Sequence, residues 1–239
     1  MKNSMKTLSC REITKWVAMN DKNELLISTK PFTSLIAVSD DGGEKIVFNS
    51  SPLDIRSCYF DKMSGQLLVG VAERGANFEI LKSSTRQVLV LDDYKQKRSI
   101  EFSSSGKRLF TYPYRIAIDS DSNIYVVDLI NDDGHGRIVA VDRDGKLKFT
   151  YNGHNNLCPF NPRGITVTLS NNIVIADTDN HSLHVLQSNG QLLAKQDTKE
   201  FDIIFPYSLC IDSEGFLVIG CNTYEGKTDS KIHIVEVLF

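Results

Sequence analysis

Cationic and aromatic side chains recur at equivalent positions of several short apolar segments, at or just before the start of each segment. Guanidinium groups beside aromatic rings are suited to bind acidic or aromatic peptide motifs and RNA loops. The residues concerned are Lys15, Arg56, Tyr114, Arg115, Arg163 and Tyr207. The alternative interpretation is that they are ordinary strand-entry residues, because charged side chains usually lie at the surface. These six residues form the candidate binding site.

Carboxyl and imidazole groups offer a second kind of chemistry. Asp128 and Asp177 end equivalent apolar segments and could form a metal or acid–base pair, or could accept backbone N–H groups in turns. His181 and His184 are three residues apart, which places them on opposite faces of a strand and prevents joint metal binding there. His135 lies in an Asp/Gly-rich loop with no His or Cys at metal spacing. We therefore predict no catalytic residue, no metal ligand and no cofactor.

The segments that carry these residues belong to a repeat. Residues 112–128 contain a proline, an apolar run ending in Asp, a polar turn and a second apolar run, and similar segments follow twice. The prolines of the three copies are separated by 49 and then 44 residues, at Pro113, Pro162 and Pro206. A period in that range, built from short strands and polar turns, is typical of β-propellers. We therefore predict an all-β propeller with four-stranded blades.

Two weaker copies precede the three clear ones, so we recognise five repeats in a single predicted domain of residues 1–239. Their approximate bounds are 12–50, 54–104, 112–152, 161–197 and 205–239. The fifth repeat shows no fourth strand before the sequence reaches Phe239. Because an open sheet edge promotes aggregation, we expect a strand from the other terminus to close the ring. Residues 6–10 could supply that strand.

Composition narrows the classes of function. The 239 residues are 41% hydrophobic and carry a net charge of −3, which supports a packed core and argues against a broadly basic nucleic-acid surface. The five cysteines lack C-x-x-C spacing and indicate reduced thiols. No apolar run approaches the roughly 20 residues of a membrane span, and residues 1–7 lack the apolar region of a secretory signal. We therefore expect a cytoplasmic protein with no membrane partner.

The repeats resemble the NHL-repeat family, whose pattern joins a Pro-x-Gly-Ile-Ala-Val-Asp strand to a Gly-Asn-Ile-Tyr-Val-Ala-Asp strand. Residues 115–128 match this pattern closely, and so do residues 162–185. The arrangement is similar to the C-terminal propellers of tripartite-motif (TRIM) proteins, and the Tyr-Pro-Tyr signature at 112–114 is similar to invertebrate-expanded members. The resemblance implies turn-capping roles for Asp128 and Asp177. It also implies six blades, whereas five repeats are recognised here.

The resemblance implies that the propeller functions by binding a ligand. In TRIM proteins such a propeller recognises substrates for a ubiquitin ligase whose RING finger lies upstream, and this chain shows neither a Cys/His zinc pattern nor a heptad repeat. The first expectation is a protein or peptide ligand bound at the strand entries, which would ring one mouth of the central channel. A propeller that binds single-stranded RNA at the same mouth is the alternative. A metal-dependent lyase or lactonase is a second alternative, which the strand entries disfavour because they hold no metal ligand.

Overall fold

The computed structural model describes residues 14–75, 78–154, 158–223 and 230–236, which fold into five antiparallel sheets. The strands of blade 1 are β1 (Thr14–Met19), β2 (Leu25–Thr29), β3 (Ser34–Val38) and β4 (Glu44–Asn49). Those of blade 2 are β5 (Asp54–Asp61), β6 (Gln66–Ala72), β7 (Arg86–Asp92) and β8 (Lys95–Ile100). Those of blade 3 are β9 (Pro113–Ile118), β10 (Ile124–Leu129), β11 (Gly136–Val141) and β12 (Leu147–Tyr151).

The last two blades follow the same plan. The strands of blade 4 are β13 (Pro162–Val167), β14 (Ile173–Asp177), β15 (Ser182–Leu186) and β16 (Leu192–Asp197). Those of blade 5 are β17 (Pro206–Ile211), β18 (Leu217–Cys221) and β19 (Ile232–Val235). In every blade the strands are hydrogen-bonded in chain order. The prediction of an all-β propeller with five blades is confirmed, and the predicted closing strand at residues 6–10 lies outside the described residues.

Local sequence explains why these segments form strands. β10 is buried at every position, as expected for a central strand covered on both faces of its sheet. The outer strand β12 is exposed or half-buried along its length. The turn between β9 and β10 is closed by Asp119, whose Oδ1 accepts the N–H groups of Asp121 and Asn123 at 3.0 and 2.8 Å. Side chains of this kind favour turns because they can bond the backbone two to four residues further on.

Apolar layers between consecutive blades form the core. Alternate residues of one strand face opposite layers: Leu68 packs towards blade 3, whereas Val69 packs towards blade 1. Tyr125 lies in the layer between blades 3 and 4, and Ile219 lies in the layer between blades 4 and 5. Full burial of one such side chain stabilises the fold by about 1.5–3 kcal/mol. The strand period of two therefore determines which blade each side chain packs against.

The innermost strands run side by side around a central channel. β1 packs on β5, β5 on β9, β9 on β13 and β13 on β17. Within the described residues, β17 and β1 share no comparable contact. Within the same residues, no helix is long and apolar enough to cross a membrane, and the helical structure found there is a 3-10 turn at Lys199–Phe201.

Candidate binding site at the channel mouth

A β-bulge at the same place in every inner strand creates the candidate site. In each case the register with the second strand of the blade skips one residue, which is left as the extra residue of the bulge. The extra residues of the five bulges are Lys15, Arg56, Tyr114, Arg163 and Tyr207. Bulges redirect side chains and are frequent beside functional sites. Five of the six residues predicted from the sequence thus occupy the same kind of β-bulge, and Arg115 directly follows the bulge of β9.

Four of the six predicted residues meet in one cluster, which we call the mouth cluster: Tyr114, Arg115, Arg163 and Tyr207. The hydroxyl groups of Tyr114 and Tyr207 are hydrogen-bonded at 2.5 Å, and this bond joins blade 3 to blade 5 across the start of β13. Burial, followed by the bond to Tyr207, raises the pKa of Tyr114 well above its ordinary value. The bridging hydroxyl is therefore protonated at neutral pH.

Two guanidinium groups flank the ring of Tyr114. The Cζ atom of Arg115 lies 5.4 Å from the ring centroid, and that of Arg163 lies 5.6 Å from it. Both distances fall within the range of a cation–π interaction. Arg115 also lines the channel, where a cavity of about 530 Å³ is bounded by residues of all five inner strands. The cluster thus places positive charge where a ligand would enter the channel.

The Arg163 side chain is held in place by neutral groups. Its Nε–H donates to Oδ1 of Asn161 at 2.9 Å. Gly134, at a φ of +84°, lies so close that a Cβ atom there would sit 1.8 Å from Nη2 of Arg163. The Asn161 amide in turn donates to Asp179 at 2.6 Å and to the carbonyl oxygen of Asp133 at 3.2 Å. Within the described residues, no carboxylate forms an ion pair with Arg163.

Arg56 occupies the equivalent bulge of blade 2 but is directed inward, with 6% of its surface exposed. Its Nη2 lies 3.5 Å from Asp54 and donates to the carbonyl oxygen of Glu73 at 3.3 Å. Its Cζ lies 5.1 Å from the ring centroid of Tyr112, whose other neighbours include Phe78 at 5.5 Å. Arg56 therefore supports the wall beneath the mouth cluster. For Lys15, the remaining predicted residue, the structure describes the backbone position in the bulge of β1.

The close approach of strands β13 and β17 depends on Gly164. A Cβ atom at this position would lie 2.9 Å from the carbonyl oxygen of Tyr207 and 3.0 Å from the side chain of Leu209. Contacts this short require the backbone to move. Gly164 thus lets the tyrosine bridge pass over β13, and it belongs to the site although it carries no functional group.

The Asp residues that end the second strands accept backbone N–H groups, but these belong to the segment before the first strand of the blade and not to the turn that the resemblance implied. The Asp128 carboxylate accepts the N–H groups of Thr111 and Tyr112, both at 2.7 Å, and pairs with Arg137 at 2.9 Å. Asp177 accepts the N–H of Asn161 at 3.0 Å in the same way. Burial raises the pKa of Asp128 to about 6, against the opposing influence of Arg137. Each carboxylate thus holds the segment that leads into the bulge of its own blade.

The two neighbouring histidines have separate partners. The Nδ1 atom of His181 accepts the N–H of Phe205 at 3.0 Å, whereas His184 is buried between Tyr151, at 2.8 Å, and Asp177, at 3.4 Å. Within the described residues, no three His, Cys, Asp or Glu side chains converge as a metal site.

Sequence reasoning missed Asn161, Gly134 and Tyr112, which position the arginines. Asn161 precedes Pro162, as Tyr112 precedes Pro113, so the position before the repeat proline was the available signal. Nothing local marked Gly134, because it lies in a loop and contacts Arg163 of β13, 29 residues further on.

Comparisons with known proteins agree with this architecture. The NHL repeat matches residues 161–186. NHL repeat-containing protein 2 of Bos taurus is 27% identical over 124 residues, which are 44% of this chain and 16% of the bovine protein. A streptogramin B lyase structure superimposes with a TM-score of 0.63 at 17% identity, over 96% of this chain and 72% of that one. A luciferin-regenerating enzyme superimposes with a TM-score of 0.66 at 11% identity, over 95% and 79%.

The identities to the solved structures are low, so these similarities establish the fold alone. The chain is a β-propeller that contains an NHL repeat, and the bovine relative is matched over a small part of its length.

Proposed function

We propose that this propeller binds a protein or peptide ligand at the mouth cluster and serves as the substrate-recognition part of a TRIM-type ubiquitin ligase. The observation that carries the binding proposal is the convergence of Arg115 and Arg163 on Tyr114 at one end of the channel. Such arginine and tyrosine side chains dominate the energetics of many protein interfaces. The NHL repeat at residues 161–186 supports a binding role, because NHL propellers generally bind protein or other ligands.

A peptide-display selection tests the binding proposal. Peptides selected on the wild-type protein are measured against the Arg115→Ala/Arg163→Ala double variant by fluorescence anisotropy. We expect binding to weaken by roughly tenfold or more, the loss typical of two interface arginines. The control is Arg143→Ala/Lys146→Ala, which removes two exposed cations from the β11–β12 turn, at the end of the propeller opposite the mouth. Equal binding to wild type and the arginine variant by every selected peptide would overturn the proposal.

The ligase part of the proposal depends on which domains accompany this propeller in the full-length protein. A TRIM-type protein carries a RING finger, B-boxes and a coiled coil before the propeller. Sequencing the full-length transcript tests whether it encodes those modules. A transcript without them would leave a binding propeller and remove the ligase assignment.

RNA is the second candidate ligand, because guanidinium and aromatic groups alternate around the mouth. Binding to single-stranded RNA should then fall steeply with salt concentration, since each phosphate contact releases counterions. Absence of binding to a uridine decamer at low salt would eliminate this candidate.

A lyase or lactonase activity is the third candidate and is supported by the fold similarity to a streptogramin B lyase. The described channel residues include Asp61, Lys62, Arg115 and the thiols of Cys58 and Cys210, but no three metal-type ligands converge among them. Incubation with a streptogramin B antibiotic and with simple lactones, followed by mass spectrometry, tests this candidate, and conversion abolished by Arg115→Ala would favour it over a binding role.

A further inference from the structure

The mouth cluster concentrates positive charge around one aromatic ring. Both guanidinium carbons lie within 5.6 Å of the centroid of Tyr114. Each guanidinium group carries a positive charge at neutral pH, and both lie beside the same ring. An anion bound beside this ring would accept their N–H groups in charge-assisted hydrogen bonds.

Arg163 differs in its partners from three other arginines, Arg86, Arg108 and Arg137. Arg86 pairs with Glu73 at 2.8 Å, Arg137 pairs with Asp128 at 2.9 Å, and Arg108 pairs with Glu101. Arg163 is instead fixed by the Asn161 amide and by contact with Gly134. Its orientation is therefore preorganised by groups other than a carboxylate in direct contact with it, among the described residues. A preorganised cation loses less conformational entropy on binding than a mobile one.

From this arrangement we infer that the mouth cluster binds a carboxylate group of an acidic peptide, held by Arg115 and Arg163. The inference rests on the proposed function and specifies its ligand. Guanidinium groups match the planar geometry of a carboxylate, which can receive two parallel N–H bonds from one arginine. The carboxylate comes from a Glu or Asp side chain or from a peptide C-terminus, and both sources share this chemistry.

The same contacts argue against a nucleic acid at this site. Single-stranded RNA is bound largely by stacking of bases on exposed aromatic faces. Here Tyr114 is flanked by two guanidinium groups, and Tyr112 is flanked by Arg56 and Phe78. The rings of Tyr112 and Tyr114 thus already contact other groups of the protein. Positive charge concentrated at a single spot suits one carboxylate better than a run of phosphates.

Fluorescein-labelled probes test this inference with the whole chain. The probes are a glutamate decamer with an amidated C-terminus, a glutamine decamer with a free C-terminus, an amidated glutamine decamer and a uridine decamer. We expect one or both carboxylate-bearing peptides to bind at low salt and the amidated glutamine peptide not to bind. The glutamate and free-terminus probes distinguish the two sources of the carboxylate.

Variants assign the binding to the mouth. Arg163→Ala should weaken carboxylate binding by roughly tenfold or more, the loss expected for one charged hydrogen-bond donor. Arg163→Lys should retain part of the carboxylate binding, because the positive charge remains but the two parallel N–H donors of the guanidinium group are lost. Arg143→Ala, in the exposed β11–β12 turn, should leave it unchanged. The Nε–H resonance of Arg163 should shift on titration with the bound peptide.

Three outcomes would overturn the inference. Equal affinity for glutamate and amidated glutamine peptides would show that the carboxylate is irrelevant. Tighter, Arg163-dependent binding of the uridine decamer would assign the site to phosphate. Absence of binding by any probe, while neutral display-selected peptides bind in an Arg163-dependent way, would leave the proposed function standing and remove the carboxylate. If every selected peptide also bound the Arg115→Ala/Arg163→Ala variant as tightly as wild type, the proposed function would fail as well.

Discussion

Arg56 and Arg163 occupy equivalent bulges of blades 2 and 4, yet they have different surroundings. Arg56 is almost fully buried, and it contacts the Asp54 carboxylate, a carbonyl oxygen and the Tyr112 ring. Arg163 is half-buried and is held by an amide oxygen and a glycine. The repeat position is the same, and the partners decide the role. A buried and paired arginine stabilises the fold, whereas a positioned arginine without a described carboxylate partner is suited to a ligand.

The largest expected effect concerns Asp128, the buried carboxylate that pairs with a third arginine, Arg137. Asp128→Ala should lower the free energy of unfolding by about 3 kcal/mol, because two buried N–H groups and the Arg137 guanidinium lose their acceptor. Urea denaturation at neutral pH measures this. Asp128→Asn keeps an oxygen for the two N–H groups and is the matched control, for which we expect a loss below about 1 kcal/mol.

Asp128 also predicts a pH dependence. Burial raises its pKa to about 6 in the folded protein, so folding favours the protonated carboxyl group relative to the unfolded chain. The resulting stabilisation should be fully present below about pH 4 and should be lost as the pH rises through about 6. Wild type compared with Asp128→Asn across this range isolates the contribution. A difference between the two that did not change with pH would contradict the assignment.

The arginine pair itself gives the next largest effect. Arg56→Ala should lower the free energy of unfolding by about 2 kcal/mol, because it removes a buried ion pair and packing on Tyr112. Arg163→Ala should cost less than about 1 kcal/mol, since its partners are neutral and partly solvated. Urea denaturation of both variants provides the test. Equal losses would show that Arg163 is also a structural residue.

A comparison of alanine variants at two glycines tests whether Gly134 positions the Arg163 side chain. Gly134 and Gly42 have φ values of +84° and +85°, but a Cβ atom would meet Arg163 at the first and nothing within 4 Å at the second. Both alanine variants should lose about 1 kcal/mol for the left-handed backbone. Gly134→Ala should lose about 1 kcal/mol more from overpacking and should also weaken peptide binding. Identical stability and binding in the two variants would show that Gly134 does not position Arg163.

The smallest expected effect concerns the tyrosine bridge. Tyr207→Phe removes the hydroxyl that bonds to Tyr114 and should cost about 0.5–1 kcal/mol. Because that bond also raises the pKa of Tyr114, the variant should show phenol ionisation at a lower pH in a near-ultraviolet titration. Ionisation unchanged from wild type would mean that burial alone controls Tyr114.

The sequence was sufficient to predict the blades and to align the strand-entry residues, because both follow from the repeat, whereas the bulges at those residues were seen only in the structure. The proline step and the strand pattern around Pro113 recur in each clear copy, so alignment of the copies aligned the bulges. The sequence could not distinguish Arg56 from Arg163, because their partners come from other loops and blades. The bond between Tyr114 and Tyr207 likewise joins residues 93 positions apart and depends on how blade 4 separates their strands.

The shared bulge has a consequence for how such a protein can change over evolutionary time. The extra residue lies outside the regular register, and the same backbone carries lysine, arginine or tyrosine in different copies. Each duplicated unit therefore contributes one interchangeable position to a common rim. A single codon change at that position alters the side chain presented at the channel mouth, while the hydrogen bonds between the strands are preserved. Divergent copies of this propeller would then differ first in what they recognise and only later in how they fold.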